Sequence, residues 1–194
     1  MRKGIYSILF VFILAVSHAA QVKPATNVDV IPDVVFEHKD GMALTFDIFK
    51  PKAQANGAAV IFIVSGGWVS RYTPPDEAVP RYQDLLDKGF TVISLRHGGS
   101  PKYLIPEIVA DVRRGVRFIR YNAKRWGIDP NRLGVWGWSA GGHLSLMIGL
   151  ASDSGDAAAK EDFMKEITDF HFKVLVKSFK ISFVDLKRQA PEQI

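Results

Sequence analysis

The sequence contains no cysteine among its 194 residues. This absence excludes disulfide bonds, thiolate nucleophiles and cysteine-ligated zinc. Histidine is also scarce, with five residues, and none has the spacing to carboxylates that metal sites use. We therefore expect neither a metal ion nor another cofactor. Basic residues exceed acidic ones by only 25 to 20, and no Lys/Arg cluster is interleaved with aromatic residues, so nucleic acid is not an expected partner.

The N-terminus has the composition of an export signal. Two basic residues precede an apolar stretch of twelve residues, Ile5 to Val16. Because a membrane-spanning helix needs roughly twenty apolar residues, no stable membrane span is expected here. The small residues that follow predict a signal peptide over residues 1–19, cleaved after Ala19, and hence a secreted or periplasmic protein. A polar N-terminal arm is expected over residues 20–33.

Strand-like and helix-like stretches alternate along the middle of the chain. Ala58 to Val64 is an uninterrupted apolar run, as in a strand that is buried on both faces of a sheet, and Phe90 to Leu95 is a second strand-like run. Pro106 opens a long helix that ends near Trp126. This alternation predicts an α/β fold, with a mostly parallel sheet and helices on both of its faces. The basic residues of the long helix lie largely off its apolar stripe and are expected in solvent: Arg113, Arg114 and Arg117.

The most informative stretch covers residues 137–141. A short apolar run, Leu133 to Trp136, leads into the sequence Gly-Trp-Ser-Ala-Gly, and a helix-forming apolar stretch follows. This is the G-x-S-x-G pattern in a strand–turn–helix setting, where glycines let the backbones pack closely and leave the serine, here Ser139, standing clear. The alternative is a glycine-rich turn with a capping serine. Neither the dinucleotide-binding nor the P-loop glycine pattern fits these residues.

Four motifs occur in order along the chain, at residues 62–68, 96–106, 127–132 and 137–142. Together they resemble the α/β-hydrolases of the esterase/lipase group, in the branch of small bacterial carboxylesterases and acetylesterases (the BD-FAE type). The resemblance covers residues 34–155.

This resemblance implies a reaction and a site. Ser139 would attack an ester carbonyl and form an acyl-enzyme, which water then hydrolyses. The backbone N–H of Ala140, with those of the loop residues Gly66, Gly67 and Trp68, would form the oxyanion hole. The implied substrate is a small-molecule ester or an acylated carbohydrate.

Two features depart from the family pattern. Ser65 stands where the family's oxyanion loop usually has histidine. Only 55 residues follow Ser139, which is short for the strands that carry the family's acid and histidine. We therefore expect the N-terminal portion of an α/β-hydrolase, truncated after the nucleophile helix, with a partial core over residues 34–159 and an atypical C-terminal segment over residues 160–194. Self-association through the sheet edge exposed in this way is a further prediction.

The sequence leaves more than one candidate for the base that would activate the serine. His171 alone follows the family's order of serine, acid and histidine along the chain. Four aspartates precede it after the serine: Asp153, Asp156, Asp162 and Asp169.

The other histidines have weaker claims. His97 ends a buried strand at the functional edge of the sheet and is an alternative base. His38 is expected at the surface, and His143 is expected to pack or cap on the helix after Ser139. Two hypotheses follow: a secreted serine ester hydrolase that acts through Ser139, or a truncated and catalytically incomplete relative that lacks the acid and histidine of the triad.

Overall fold

The described part of the chain alternates strands with helices. The computed structural model describes residues 27–151, 153–168, 170 and 172–176. Two short 3₁₀ helices, Ala123–Trp126 and Asp162–Lys165, accompany the main elements. In chain order these elements are β1 (Val28–Lys39), β2 (Met42–Pro51), β3 (Ala59–Ile63), α1 (Pro75–Leu86), β4 (Thr91–Leu95), α2 (Ile105–Asn122), β5 (Leu133–Gly137), α3 (Ala140–Leu150) and β6 (Phe172–Val176).

The six strands form one sheet in the order β1-β2-β4-β3-β5-β6. The pairs β3/β4, β3/β5 and β5/β6 are parallel, whereas β1 and β2 pair antiparallel with their neighbours. This arrangement confirms the predicted α/β class with a mostly parallel sheet. The sheet also continues by one strand, β6, past the nucleophile helix at which the sequence analysis expects it to stop.

The apolar residues of the central strands alternate between two cores. Ile61 and Ile63 pack with α2 and α3 in the core on one face, whereas Phe62 packs with α1 in the core on the other. Because β3 and β4 bury both faces, β3 is apolar throughout, and the two polar residues of β4, Thr91 and Ser94, are small and buried. The helices therefore lie on both faces of the sheet, as predicted.

Strand β1 begins earlier than the sequence suggests. It starts at Val28, so residues 28–33 belong to the sheet and not to the expected N-terminal arm. The pairing with β2 shifts between Ile31 and Val34, and Asp33 takes a positive φ of 50° while its N–H donates to Asp47 Oδ1 at 2.8 Å. The proline before Asp33 thus falls in a bulge and does not end the strand. The expected signal peptide, residues 1–19, lies outside the described residues.

The expectation that the arginines of α2 are solvated is wrong for Arg117, of which only 6% is exposed. The segment after α3 covers it. Its Nη2 lies 2.7 Å from Asp153 Oδ1, and its Nε donates to Glu166 O at 3.0 Å. Arg114 is also partly covered and pairs with Glu161 of the same segment at 2.7 Å. No helix within the described ranges is long and apolar enough to cross a membrane.

The Asp153–Arg117 pair makes stability depend on pH. The N–H of Gly155 and the Arg117 guanidinium hold the pKa of the Asp153 carboxyl below its ordinary value of 3.8. Ionised Asp153 therefore stabilises the fold above about pH 5, and this contribution is lost as the pH falls through the lowered pKa. We expect Asp153→Asn to lower the free energy of unfolding at pH 7 by about 1 kcal/mol or less, since the side chain is partly exposed.

Urea unfolding of both proteins at pH 7 and at about pH 3 measures this difference, which should shrink at the lower pH. Asp162→Asn is the matched control, because its pair with Lys165 lies in solvent. An equal destabilisation at both pH values would contradict the assignment.

Candidate active site

Ser139 occupies a strained turn between β5 and α3. It lies two residues after the last residue of β5 and directly before the first of α3, with φ 49° and ψ −120°. A positive φ is uncommon for a residue with a side chain and costs about 1 kcal/mol or more. The side chain is exposed. The structure therefore places the predicted nucleophile in the geometry of a nucleophile elbow, with its hydroxyl facing outward.

The glycines on either side of Ser139 are required by close backbone contacts. A Cβ on Gly137 would lie 2.3 Å from the carbonyl carbon of Gly141. A Cβ on Gly141 would lie 2.5 Å from Ile63 O of the neighbouring strand. Real Cβ atoms do not approach backbone atoms so closely, so both positions exclude a side chain in this geometry. The spacing of the G-x-S-x-G pattern thus follows from two close contacts of α3, one with β5 at Gly137 and one with β3 at Gly141.

The oxyanion loop, residues 65–69, forms a tight turn that begins two residues after the end of β3. Gly66 and Val69 exchange two backbone hydrogen bonds of 3.0 Å, and the two residues between them, Gly67 and Trp68, have φ values of 57° and 59°. Two central residues with positive φ are the mark of a type I′ turn. For a tryptophan this conformation is strained in the same way as that of Ser139.

Three of the four predicted oxyanion-hole residues have a suitable backbone N–H group. The N–H groups of Gly67 and Trp68 donate to no backbone carbonyl in the described part of the chain. Ala140 is the first residue of α3, where the helix leaves its N–H groups without intrahelical partners and favours negative charge. Gly66 is a correction, because its N–H donates to Val69 O and so shapes the turn.

Direct contacts connect the oxyanion loop to the nucleophile helix. The Gly141 N–H donates to Ser65 O at 3.2 Å as well as to Trp138 O at 2.8 Å. The rings of Trp68 and His143 meet edge to face, with centroids 5.9 Å apart. The structure therefore brings Ser139, Ala140 and the predicted loop together at one edge of the sheet. Sequence reasoning missed the Trp68–His143 contact, because no local pattern joins residues so far apart.

Backbone bonds and packing, more than side-chain hydrogen bonds, order the oxyanion loop. The Ser65 hydroxyl, which replaces the family's histidine, is buried and has no hydrogen-bond partner among the described residues. The same holds for Trp68 Nε1 and Ser70 Oγ. The Trp68 carbonyl accepts the Ser100 N–H at 2.9 Å, which ties the loop to the segment after β4.

His97 lies near the same edge of the sheet but is directed inward. It is 5% exposed, its Nδ1 lies 2.7 Å from Gly98 O, and its Nε2 has no partner in the described part of the chain. Burial lowers the pKa of His97 below 6.5, so the ring is neutral near pH 7. Nearby, buried Asp111 accepts the Gly98 N–H at 3.0 Å and the Lys39 ammonium at 2.7 Å. No hydrogen bond joins His97 to Ser139.

The remaining candidates for base and acid do not form a triad within the described ranges. His171 and Asp169 lie outside the described residues. His38 is exposed on β1, as expected. Asp153 is engaged by Arg117, and Asp162 by Lys165. The described residues also hold no cluster of three histidine, aspartate or glutamate side chains that would bind a metal ion.

A nucleophile elbow at the carboxyl edge of a mostly parallel sheet, with an oxyanion loop on the adjacent strand, defines an α/β-hydrolase. The BD-FAE family model matches residues 46–193, well over half of the sequence. The chain belongs to the BD-FAE family. The matched region extends past residue 160, where the sequence motifs fade.

Curated relatives match the chain over only part of their own length. An acetylxylan esterase from Xylanibacter ruminicola is 38% identical over 104 residues, which cover 50% of this chain and 20% of that protein. A probable carboxylic ester hydrolase, LipM, from Mycobacterium tuberculosis is 30% identical over 112 residues, or 57% of this chain and 26% of that protein. The match thus spans between a fifth and about a quarter of the length of these relatives.

Solved structures share the fold over a larger fraction. An acetyl ester-xyloside bifunctional hydrolase from Caldicellulosiruptor lactoaceticus superposes with a TM-score of 0.64 at 24% identity, over 74% of this chain and 55% of that one. A truncated form of a carbohydrate esterase from gut microbiota gives a TM-score of 0.60 at 25% identity, over 76% and 56%. The superposition extends over about half of each of these structures.

Adding a methyl group at Gly141 should disrupt the elbow. We expect Gly141→Ala to lower the free energy of unfolding by about 1–3 kcal/mol, because the new Cβ meets the Ile63 carbonyl oxygen, which is fixed in the sheet. Urea unfolding measures the change. Gly66→Ala is the control, since a Cβ there has no atom within 4 Å. Equal stability of the two variants would show that α3 does not approach β3 this closely.

Proposed function

We propose that this protein is a serine carboxylic ester hydrolase that acts through an acyl-enzyme on Ser139. One observation carries the proposal: Ser139 is held exposed in a strained turn beside the free N–H groups of the oxyanion loop and the N-terminus of α3. Backbone strain of this kind is found where a reactive group must be presented. Membership of the BD-FAE family, with its esterase relatives, supports the same reaction.

The reaction proceeds in two displacements. Ser139 Oγ attacks the ester carbonyl carbon while its proton passes to a base, and the carbonyl oxygen becomes an oxyanion that the N–H groups of Ala140, Gly67 and Trp68 stabilise. The C–O bond to the alcohol then breaks, and the alcohol leaves with the proton. Water attacks the acyl-enzyme in the same way and releases the acid. Removing one oxyanion donor typically costs about 10²–10³ in rate.

We propose His171 as the base. It follows Ser139 in the chain order of the family, and its candidate acids precede it. The described histidines support this assignment by their own contacts: His97 is directed inward toward Gly98 O, and the ring of His143 packs on Trp68.

The alternative is a catalytically incomplete relative that keeps the elbow without an acid and base. It is favoured by the observation that no imidazole in the described ranges forms a hydrogen bond with the Ser139 hydroxyl. A serine hydroxyl is a weak nucleophile without such a partner. In this case the oxyanion loop would still bind carbonyl or carboxylate oxygens, but the protein would not hydrolyse esters.

The substrate class proposed is a small-molecule ester or an acylated carbohydrate. The relative with 38% identity is named an acetylxylan esterase, and a structural neighbour is named a carbohydrate esterase. Export through the segment 1–19, to the periplasm or the exterior, is consistent with a polymeric or extracellular substrate. Self-association through β6 is also proposed, since this strand pairs only with β5 in the described part of the chain.

Covalent labelling tests the nucleophile. A fluorophosphonate should form one adduct per chain, located by mass spectrometry on Ser139. The adduct should be absent in Ser139→Ala, and turnover of a short-chain aryl ester should fall by at least about 10³-fold. Ser154→Ala, at an exposed position outside the site, is the control. A folded protein that forms no adduct would establish the incomplete alternative.

Substitution of His171 tests the base. If it activates Ser139, His171→Ala should slow both labelling and turnover by orders of magnitude, whereas His38→Ala should leave them unchanged. The rate of fluorophosphonate labelling at pH 8 provides the comparison. Equal rates in the two variants would remove His171 from the mechanism.

A further inference from the structure

We infer that His143 is a positioning residue of this active site: its ring holds Trp68, and through Trp68 the oxyanion loop, in place against the nucleophile helix. The inference rests on the proposed hydrolase function and deepens it. His143 stands four residues after Ser139 on α3, on the exposed side of the helix. Its ring meets the Trp68 ring edge to face, at 5.9 Å between centroids and 78° between planes.

Trp68 needs external contacts to keep its conformation. Its φ of 59° lies in the left-handed region that favours glycine, and its backbone N–H is one of the proposed oxyanion donors. A strained residue persists only where its surroundings determine its conformation. A shift of this backbone would displace the donor, and displacements of about 1 Å at such a site cost up to about 10²-fold in rate.

In the part of the chain that the structure describes, the Trp68 side chain is held by packing and not by a polar contact. Its indole N–H forms no hydrogen bond within the described ranges, so no polar contact fixes the ring. The ring is half-buried, with one part against the core that α2 and α3 share. His143 supplies the aromatic contact on the side of the nucleophile helix. Edge-to-face aromatic pairs of this geometry are net attractive.

His143 is itself anchored to the nucleophile. Its backbone N–H donates to Ser139 O at 3.0 Å, so its position is fixed relative to the elbow. The contact therefore connects the nucleophile directly to the loop that stabilises the oxyanion. It complements the backbone bond from Gly141 to Ser65, which joins the same two segments nearer the sheet. The Gly141 bond holds the start of the loop, whereas the His143 contact acts at its tip, together with the Ser100 N–H that donates to Trp68 O.

Three variants separate a packing role for His143 from a proton-transfer role. His143→Ala removes the ring, His143→Phe keeps an aromatic edge but cannot transfer a proton, and His38→Ala is the control at an exposed histidine on β1. For His143→Ala we expect kcat for a short-chain aryl ester, and the labelling rate of Ser139, to fall by about 10-fold with KM little changed. His143→Phe should recover most of the loss.

A double-mutant cycle with Trp68→Phe tests the route of the effect. If His143 acts through Trp68, the double variant His143→Ala/Trp68→Phe should be less impaired than the product of the two single effects. An inactive His143→Phe would overturn the inference in favour of proton transfer. Additive effects, or full activity in His143→Ala, would overturn it as well.

Tryptophan fluorescence detects the contact without reference to activity. The His143 ring covers part of the Trp68 ring, so acrylamide should quench the emission of His143→Ala more strongly than that of the wild-type protein, and this difference should be absent when both proteins carry Trp68→Phe. If the wild-type protein neither reacts with the fluorophosphonate nor hydrolyses esters, the proposed function fails. The fluorescence measurement still decides in that case whether the contact between His143 and Trp68 exists. Identical quenching in the two proteins would show that His143 does not hold Trp68.

Discussion

The close approach of helix α3 to strand β3 is the contact on which the site depends. At Gly141 the helix backbone lies so close to Ile63 O that a Cβ on this residue would clash with the oxygen and push the helix away from the strand. The oxyanion loop follows Ile63 within two residues, and Ser139 precedes Gly141 by two. One steric contact therefore sets the distance between Ser139, the proposed nucleophile, and the N–H groups proposed to stabilise the oxyanion. The hydrogen bond from the Gly141 N–H to Ser65 O then orients the two segments.

The register of the sheet explains why the functional segments emerge together. Leu95 and Gly137 both pair with Ile63, so the last residues of β4, β3 and β5 lie in one row. Each segment that follows starts from that row, at the carboxyl edge where open α/β sheets bind ligands. The cores on both faces fix the position of these strand ends, because Ile63 packs against α2 and α3 while Phe62 packs against α1. Packing in the interior of the sheet thus determines where the segments of the site start.

Local sequence patterns predict the parts of this site that depend on local sterics. The glycines around Ser139 and the apolar run that forms β3 could both be recognised, because each depends on neighbours along the chain. Non-local contacts account for what was missed. Strand β1 continues past Pro32 because the Asp33 N–H donates to the Asp47 side chain of β2. Arg117 is buried because the segment after α3 packs over it. The N–H of Gly66 is used within its own turn, which glycine spacing does not reveal.

Preorganisation and activation of the serine are supplied by different parts of the chain. The elbow and the oxyanion loop are complete in the described structure and need no base to form. Activation needs an imidazole within hydrogen-bond reach of Ser139. The ring of His97 is directed to Gly98 O and that of His143 to Trp68, which supports the proposal that His171 supplies this imidazole. An exposed serine with a positive φ gains little from burial and costs free energy of folding. Its presence beside unengaged N–H groups is therefore a physical argument for catalysis over a purely structural turn.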